Sequence, residues 1–123
     1  MKNEELISKA KSVAITKQVA EETIVGEVGA SVLTDKGNLY NGISIHAPCG
    51  LGFCAESGAI ASMLTNGENR IKTIVAVSSN GDVYSPCGRC REMIRQINKL
   101  NMDTNVILKD KTVRLSDLLP DAY

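Results

Sequence analysis

The sequence predicts an α/β fold, a three-layer α-β-α arrangement around a five-stranded mixed sheet, on three observations. An amphipathic helical pattern opens the chain, two strand-like segments joined by a turn cluster follow it, and helical and strand segments then alternate to the C-terminus. Such an order places helices on the faces of a mixed sheet. The 123 residues, 43% of them hydrophobic, allow one core and therefore one domain, residues 1–123.

Taken in order, Leu6, Ile7, Ala10, Val13 and Ala14 recur at helical spacing and predict an amphipathic helix over residues 3–19. Residues 28–34 and 38–45 read as strands, and Asp35-Lys36-Gly37 between them reads as a hairpin turn. A glycine-rich loop, residues 47–52, leads to a buried helix of mostly small side chains over 54–64, closed by Asn66-Gly67. The β-branched run 72–78 has the continuous apolar character of a strand covered on both faces, and Ser79-Asn80-Gly81-Asp82 turns the chain after it. A further helix opens at Cys87 or Gly88 and runs to about Leu100, with Met93, Ile94 and Ile97 facing inward. Residues 104–109 and 112–115 form two closing strands, and 116–119 a last helical turn.

Composition excludes several classes of function. Fourteen Lys and Arg balance fourteen Asp and Glu, so no bulk field favours nucleic acid, a membrane surface or a polyanion. No segment approaches the ~18 apolar residues of a membrane span, and the polar start Met1-Lys2-Asn3-Glu4-Glu5 shows no secretory signal. The expected setting is cytoplasmic, where the four cysteines serve thiolate chemistry rather than disulfides.

The chemistry concentrates in two segments, Cys54-Ala55-Glu56 and Pro86-Cys87-Gly88-Arg89-Cys90. Three thiolates can hold one zinc and leave its fourth tetrahedral position open, as a catalytic zinc site requires. Glu56, two residues from Cys54, is placed to move protons beside the metal without binding it, and its small, apolar neighbours predict burial. Both cysteine segments fall at helix starts, whose free N–H groups and positive dipole end favour thiolate and would deprotonate all three ligands. Two other readings of the same residues stay open. Cys49 could close a four-cysteine structural zinc site in a non-catalytic binding module, or Cys87 and Cys90 could be a dithiol redox pair. His46, the one histidine, is a loop group of either catalytic or merely exposed character, and Arg89 or Arg91 could offset the charge of a three-thiolate zinc.

With these residues in place, the chain resembles the cytidine deaminase superfamily, whose signature is a zinc ligand-x-Glu segment followed by Pro-Cys-x-x-Cys. A cysteine at position 54 resembles the three-cysteine branch of free-nucleoside cytidine deaminases and blasticidin S deaminases. Val28-Gly29-Ala30-Ser31, Gly37 and Gly42-Ile43-Ser44-Ile45 look like the family's first hairpin, Ser85 to Arg91 like the blasticidin deaminase form, and Leu118 to Tyr123 like the C-terminal segment. The resemblance implies a cytidine deaminase-like fold and one zinc per subunit on Cys54, Cys87 and Cys90. It implies Glu56 as the catalytic acid–base in hydrolytic deamination of a cytosine-type aminopyrimidine. It also implies a homotetramer whose active sites are completed across subunits. Where cytidine deaminases usually carry ribose-binding Asn and Glu, this chain has Ser44 and His46, and Ser57 replaces the usual Arg after the catalytic Glu. Glu27, Ser44, His46 and Tyr123 are the expected substrate contacts, Glu27 suiting an amino-bearing group. The expected substrate is cytidine, deoxycytidine or a modified nucleoside such as blasticidin S.

Overall fold

In the computed structural model, which describes Met1–Tyr123, the middle of the chain alternates between two helical layers across a sheet. The elements run α1 (Asn3–Val13), β1 (Lys17–Ala20), β2 (Thr23–Thr34), β3 (Leu39–His46), α2 (Ala55–Thr65), β4 (Ile71–Ser78), β5 (Val83–Tyr84), α3 (Gly88–Ile97), a 3-10 helix (Lys99–Asp103), β6 (Asn105–Ile107), β7 (Thr112–Arg114) and α4 (Leu115–Leu118). Pairing follows β3-β2-β4-β6-β7, antiparallel except for the parallel β4–β6 pair, so the sheet is mixed. The sheet has seven strands rather than the expected five, because β1 pairs with the start of β2 and β5 with the end of β4.

Successive side chains of a strand point to opposite faces, and in β2 and β4 both faces are covered. Ala30, Val32, Ile74 and Ala76 join a cluster with Ala59, Ile60 and Met63 of α2 and Ile94 of α3. Leu33, Val75 and Val77 point the other way, onto Leu6 and Ala10 of α1. This is why residues 71–78 read as a continuous apolar run rather than an alternating one. Each large aliphatic side chain sealed in these layers contributes about 1.5–3 kcal/mol.

Two differences from the expected elements have physical causes. The first helix stops at Val13 instead of residue 19, and Lys17–Ala20 becomes an edge strand. Every residue of β1 is exposed, so no burial alternation marks it in the sequence. β2 begins at Thr23, five residues before the expected start, because a bulge interrupts it: Val25 pairs with Ile45 and Gly29 with Ile43, leaving Gly26, Glu27 and Val28 opposite Ser44 alone. Gly26 sits at φ 78°, a conformation open to glycine, and it looks like a strand breaker in the sequence.

One close approach fixes where the site falls. A Cβ on Gly42 of β3 would lie 2.1 Å from the Ala59 nitrogen and 2.6 Å from the Ala55 oxygen. Only glycine lets α2 lie this tightly across β3, and that contact sets the position of the helix start carrying Cys54 and Glu56.

Candidate metal centre and active site

Cys54 and Cys87 are the N-caps of α2 and α3, and Cys90 lies one turn into α3. The two helices, far apart in sequence, bring their first turns to one point. The three Sγ atoms lie within 4.8 Å of one another, with Cys54 Sγ 3.2 Å from Cys87 Sγ. No histidine, aspartate, glutamate or fourth cysteine stands in the same group. Cys49, the candidate fourth ligand, is exposed on the loop after β3 with φ 62° and lies outside it. The donor set fits zinc: soft sulfur ligands, three in number, with no protein group closing the fourth position.

The electrostatics explain why such a site needs a cation. Burial pushes the Cys54 thiol up, helped by its hydrogen bond with Cys87. Burial, then the Glu56 charge, pushes the Cys90 thiol well above the ordinary range. Burial also opposes ionisation of Cys87, yet hydrogen bonds from the Cys90 backbone N–H and the neighbouring thiols outweigh it and bring its pKa below the ordinary value. Helix starts therefore favour thiolate at one of the three cysteines rather than at all of them, because burial and neighbouring negative charge win at the other two. Several adjacent buried thiolates are costly unless a cation sits among them.

Glu56, in the first turn of α2, is 4% exposed, and burial pushes its carboxyl above the usual carboxylate range. A raised pKa of this kind suits a group that must both accept and return a proton near neutrality.

The cluster opens on a cavity of about 710 Å3 lined by Cys54, Glu56 and Cys87 and by Glu27, Ser44, His46 and Arg89, all singled out in the sequence. The Ser44 hydroxyl accepts the Val28 N–H at 3.0 Å. His46 ends β3 and Arg89 is exposed in the first turn of α3. Two of the sequence candidates stand elsewhere. Arg91 does not line the cavity; its guanidinium donates to Pro86 O (2.8 Å), Leu118 O (3.0 Å) and Ser85 Oγ (2.9 Å), tying the Cys87 segment to the C-terminal turn. Tyr123 is 97% exposed and outside the lining. Asn80 and Tyr84, not among the sequence candidates, also line the cavity from the turn after β4 and from β5. Their one signal is position, since a turn leaving the end of a central strand opens at the edge where α/β sites form. Ser57, the residue after Glu56, places its hydroxyl 3.9 Å from Cys90 Sγ.

Comparison with known proteins agrees with this geometry. Residues 1–104 match the family model described as the cytidine and deoxycytidylate deaminase zinc-binding region. The chain is 35% identical over 100 residues to a cytidine deaminase of Mycobacterium tuberculosis, covering 78% of this chain and 71% of that protein. It is 42% identical over 76 residues to the blasticidin-S deaminase of Bacillus cereus, covering 54% of each. The crystal structure of the Mycobacterium tuberculosis cytidine deaminase superposes with a TM-score of 0.84 at 27% identity, over 100% of this chain and 98% of that one.

Proposed function

The chain belongs to the cytidine and deoxycytidylate deaminase family, and on that premise we propose that it is a zinc-dependent hydrolase that releases ammonia from a cytosine-type aminopyrimidine, free or as a small nucleoside. The observation that carries this reading is the meeting of two helix starts, which sets three sulfurs and a buried carboxyl at the mouth of one cavity. Cys54, Cys87 and Cys90 would hold one zinc per subunit. When bound, zinc supplies Lewis acidity that brings the pKa of water to about 7.

Glu56 takes the proton of the attacking water, passes it to the ring nitrogen, and then serves the departing amino nitrogen. Water oxygen becomes the ring carbonyl and the amino group leaves as ammonia, so the step is balanced without a further reactant. General acid–base help of this kind is worth about 10²–10⁴-fold. Arg89, exposed beside the cluster, offsets part of the negative charge of three thiolates, while Arg91 acts by holding the Pro86–Cys87 backbone. Ser44 and His46 face the remainder of the substrate, and Tyr123 would reach a site only in an assembly. Cytidine, deoxycytidine and blasticidin S are the substrates to compare.

A homotetramer with shared active sites is the assembly we favour, supported by Leu51 (71% exposed) and Phe53 (36% exposed) on the loop beside the cavity. One domain, residues 1–123, working in the cytoplasm completes the reading, and no helix is long and apolar enough to cross a membrane. The test is an ammonia-release and ultraviolet assay on cytidine, deoxycytidine, cytosine and blasticidin S with zinc-loaded protein. Turnover of at least one supports the assignment, and zinc-loaded protein inert toward all of them overturns it.

A further inference from the structure

The bulge in β2 places a carboxylate at the cavity wall and leaves it without a partner. Three residues, Gly26, Glu27 and Val28, span the interval that Ser44 covers alone on β3. Bulges re-aim side chains and recur beside active sites. This one is held at several points: Gly26 adopts φ 78°, the Val28 N–H donates to Ser44 Oγ at 3.0 Å, and the Glu27 carbonyl accepts the Ser79 N–H at 2.9 Å. The backbone of Glu27 is thus pinned to the turn after β4 and its flanking residue to β3, while its exposed side chain takes part in neither ion pair of the molecule, Arg95–Glu92 or Arg114–Asp103. Ser44 meanwhile accepts one backbone N–H and keeps its own O–H free to donate to a ligand.

We propose that Glu27 determines specificity at this cavity by receiving an amino or guanidino cation on the part of the nucleoside remote from the reacting ring. This rests on the aminopyrimidine reading above and names the substrate class within it. A neutral pentose would offer Glu27 only hydroxyl donors, whereas a cation gives a charge-assisted hydrogen bond that is about twice as strong. The only ionisable basic side chains lining the cavity are His46 and Arg89, and neither is within ion-pair distance of Glu27.

The experiment compares cytidine with 5′-amino-5′-deoxycytidine and 3′-amino-3′-deoxycytidine on zinc-loaded wild-type protein and on Glu27→Gln and Glu27→Ala. It reads dissociation constants by calorimetry and, separately, kcat/KM by ammonia release. Wild type is expected to bind one aminated nucleoside about tenfold or more tightly than cytidine, and both substitutions are expected to erase that ratio. The wild-type preference should also shrink as salt is raised. Equal binding of aminated and neutral nucleosides by wild type, or a ratio unchanged in Glu27→Gln, overturns the proposal. In that case turnover of cytidine leaves the deaminase reading standing. A binding preference that disappears in the variants, in protein that turns over none of these nucleosides and none of deoxycytidine, cytosine and blasticidin S, supports the role of Glu27 and sinks the deaminase reading instead.

Discussion

Two buried polar clusters flank the same sheet, and they differ in how completely their hydrogen bonds close. Asn101, fully buried in the 3-10 helix, accepts at Oδ1 from the Ile71 N–H (2.9 Å) and Arg70 (3.2 Å), and donates through Nδ2 to Asn69 O and Ile94 O (both 2.9 Å). Every donor and acceptor of that amide is used. Glu56, almost as deeply buried, has its own backbone N–H and no other protein partner, and its charge opposes ionisation of the neighbouring cysteines. A satisfied polar group in a core organises structure, while an unsatisfied one costs stability and persists where chemistry needs it. The first cluster fastens α3 and the sheet together; the second is an electrostatic deficit that a cation and a substrate complete.

The sharpest way to break the contrast is at Glu56. Glu56→Gln should retain zinc at one ion per chain by metal analysis and lose about 10²–10⁴-fold in turnover, because the amide cannot carry the proton. A fully active variant would remove Glu56 from the mechanism. Asn101→Ala should do the reverse, with an expected loss of about 3 kcal/mol in urea unfolding, since the buried Ile71 N–H loses its acceptor. Gly42→Ala acts on the seat of the second cluster: a methyl 2.1 Å from the Ala59 nitrogen must push α2 off β3. Overpacking of this kind costs about 1–3 kcal/mol, and zinc affinity should fall with stability in the same preparation.

A smaller effect concerns pH and lies away from the site. Glu68 accepts from Tyr40 Oη (2.6 Å) and Asn38 Nδ2 (2.9 Å), and the Tyr40 hydrogen bond foremost holds its carboxyl below the usual carboxylate range. A carboxyl lower in the folded than in the unfolded chain contributes stability above the ordinary value of about 4, lost as pH falls through the folded pKa. Glu68→Gln should therefore flatten the acid limb of the stability curve and leave the neutral region little changed in relative slope. The smallest expected change is Cys49→Ser, which should keep zinc content and shift stability by less than about 0.5 kcal/mol, because an exposed loop residue outside the sulfur group has nothing to lose.

The sequence made the metal cluster legible because its chemistry is local: Cys54 with Glu56, and Cys87 with Cys90, each sit within one helical turn. The central buried strand was legible for a similar reason, since Lys72–Ser78 carries its burial in composition. What escaped was structure held by long-range pairing. β1 is exposed throughout and exists because Lys17 and Gln18 meet Val25 and Ile24. β5, only Val83–Tyr84, is too short for any periodicity. The end of α3 was overrun for a different cause: Asn98 breaks the helix with φ −170° and accepts the Leu100 N–H at 2.9 Å, opening a separate 3-10 turn. Adjacency to Cys90 leaves Arg89 and Arg91 equal candidates for charge relief, but the reach of Arg91 carries its guanidinium away to Pro86 and Leu118.

The parallel pairing of β4 with β6 requires the chain to cross over between them, and that crossover carries α3 with two of the three sulfur donors. During synthesis, Cys54 would leave the ribosome with only a hairpin and one helix for company. The complete trio can come together only after Cys90 has emerged, so metal loading belongs to a late stage of chain maturation. A stalled nascent chain released before Cys87 would carry a single one of the three sulfur donors and should fail to retain zinc.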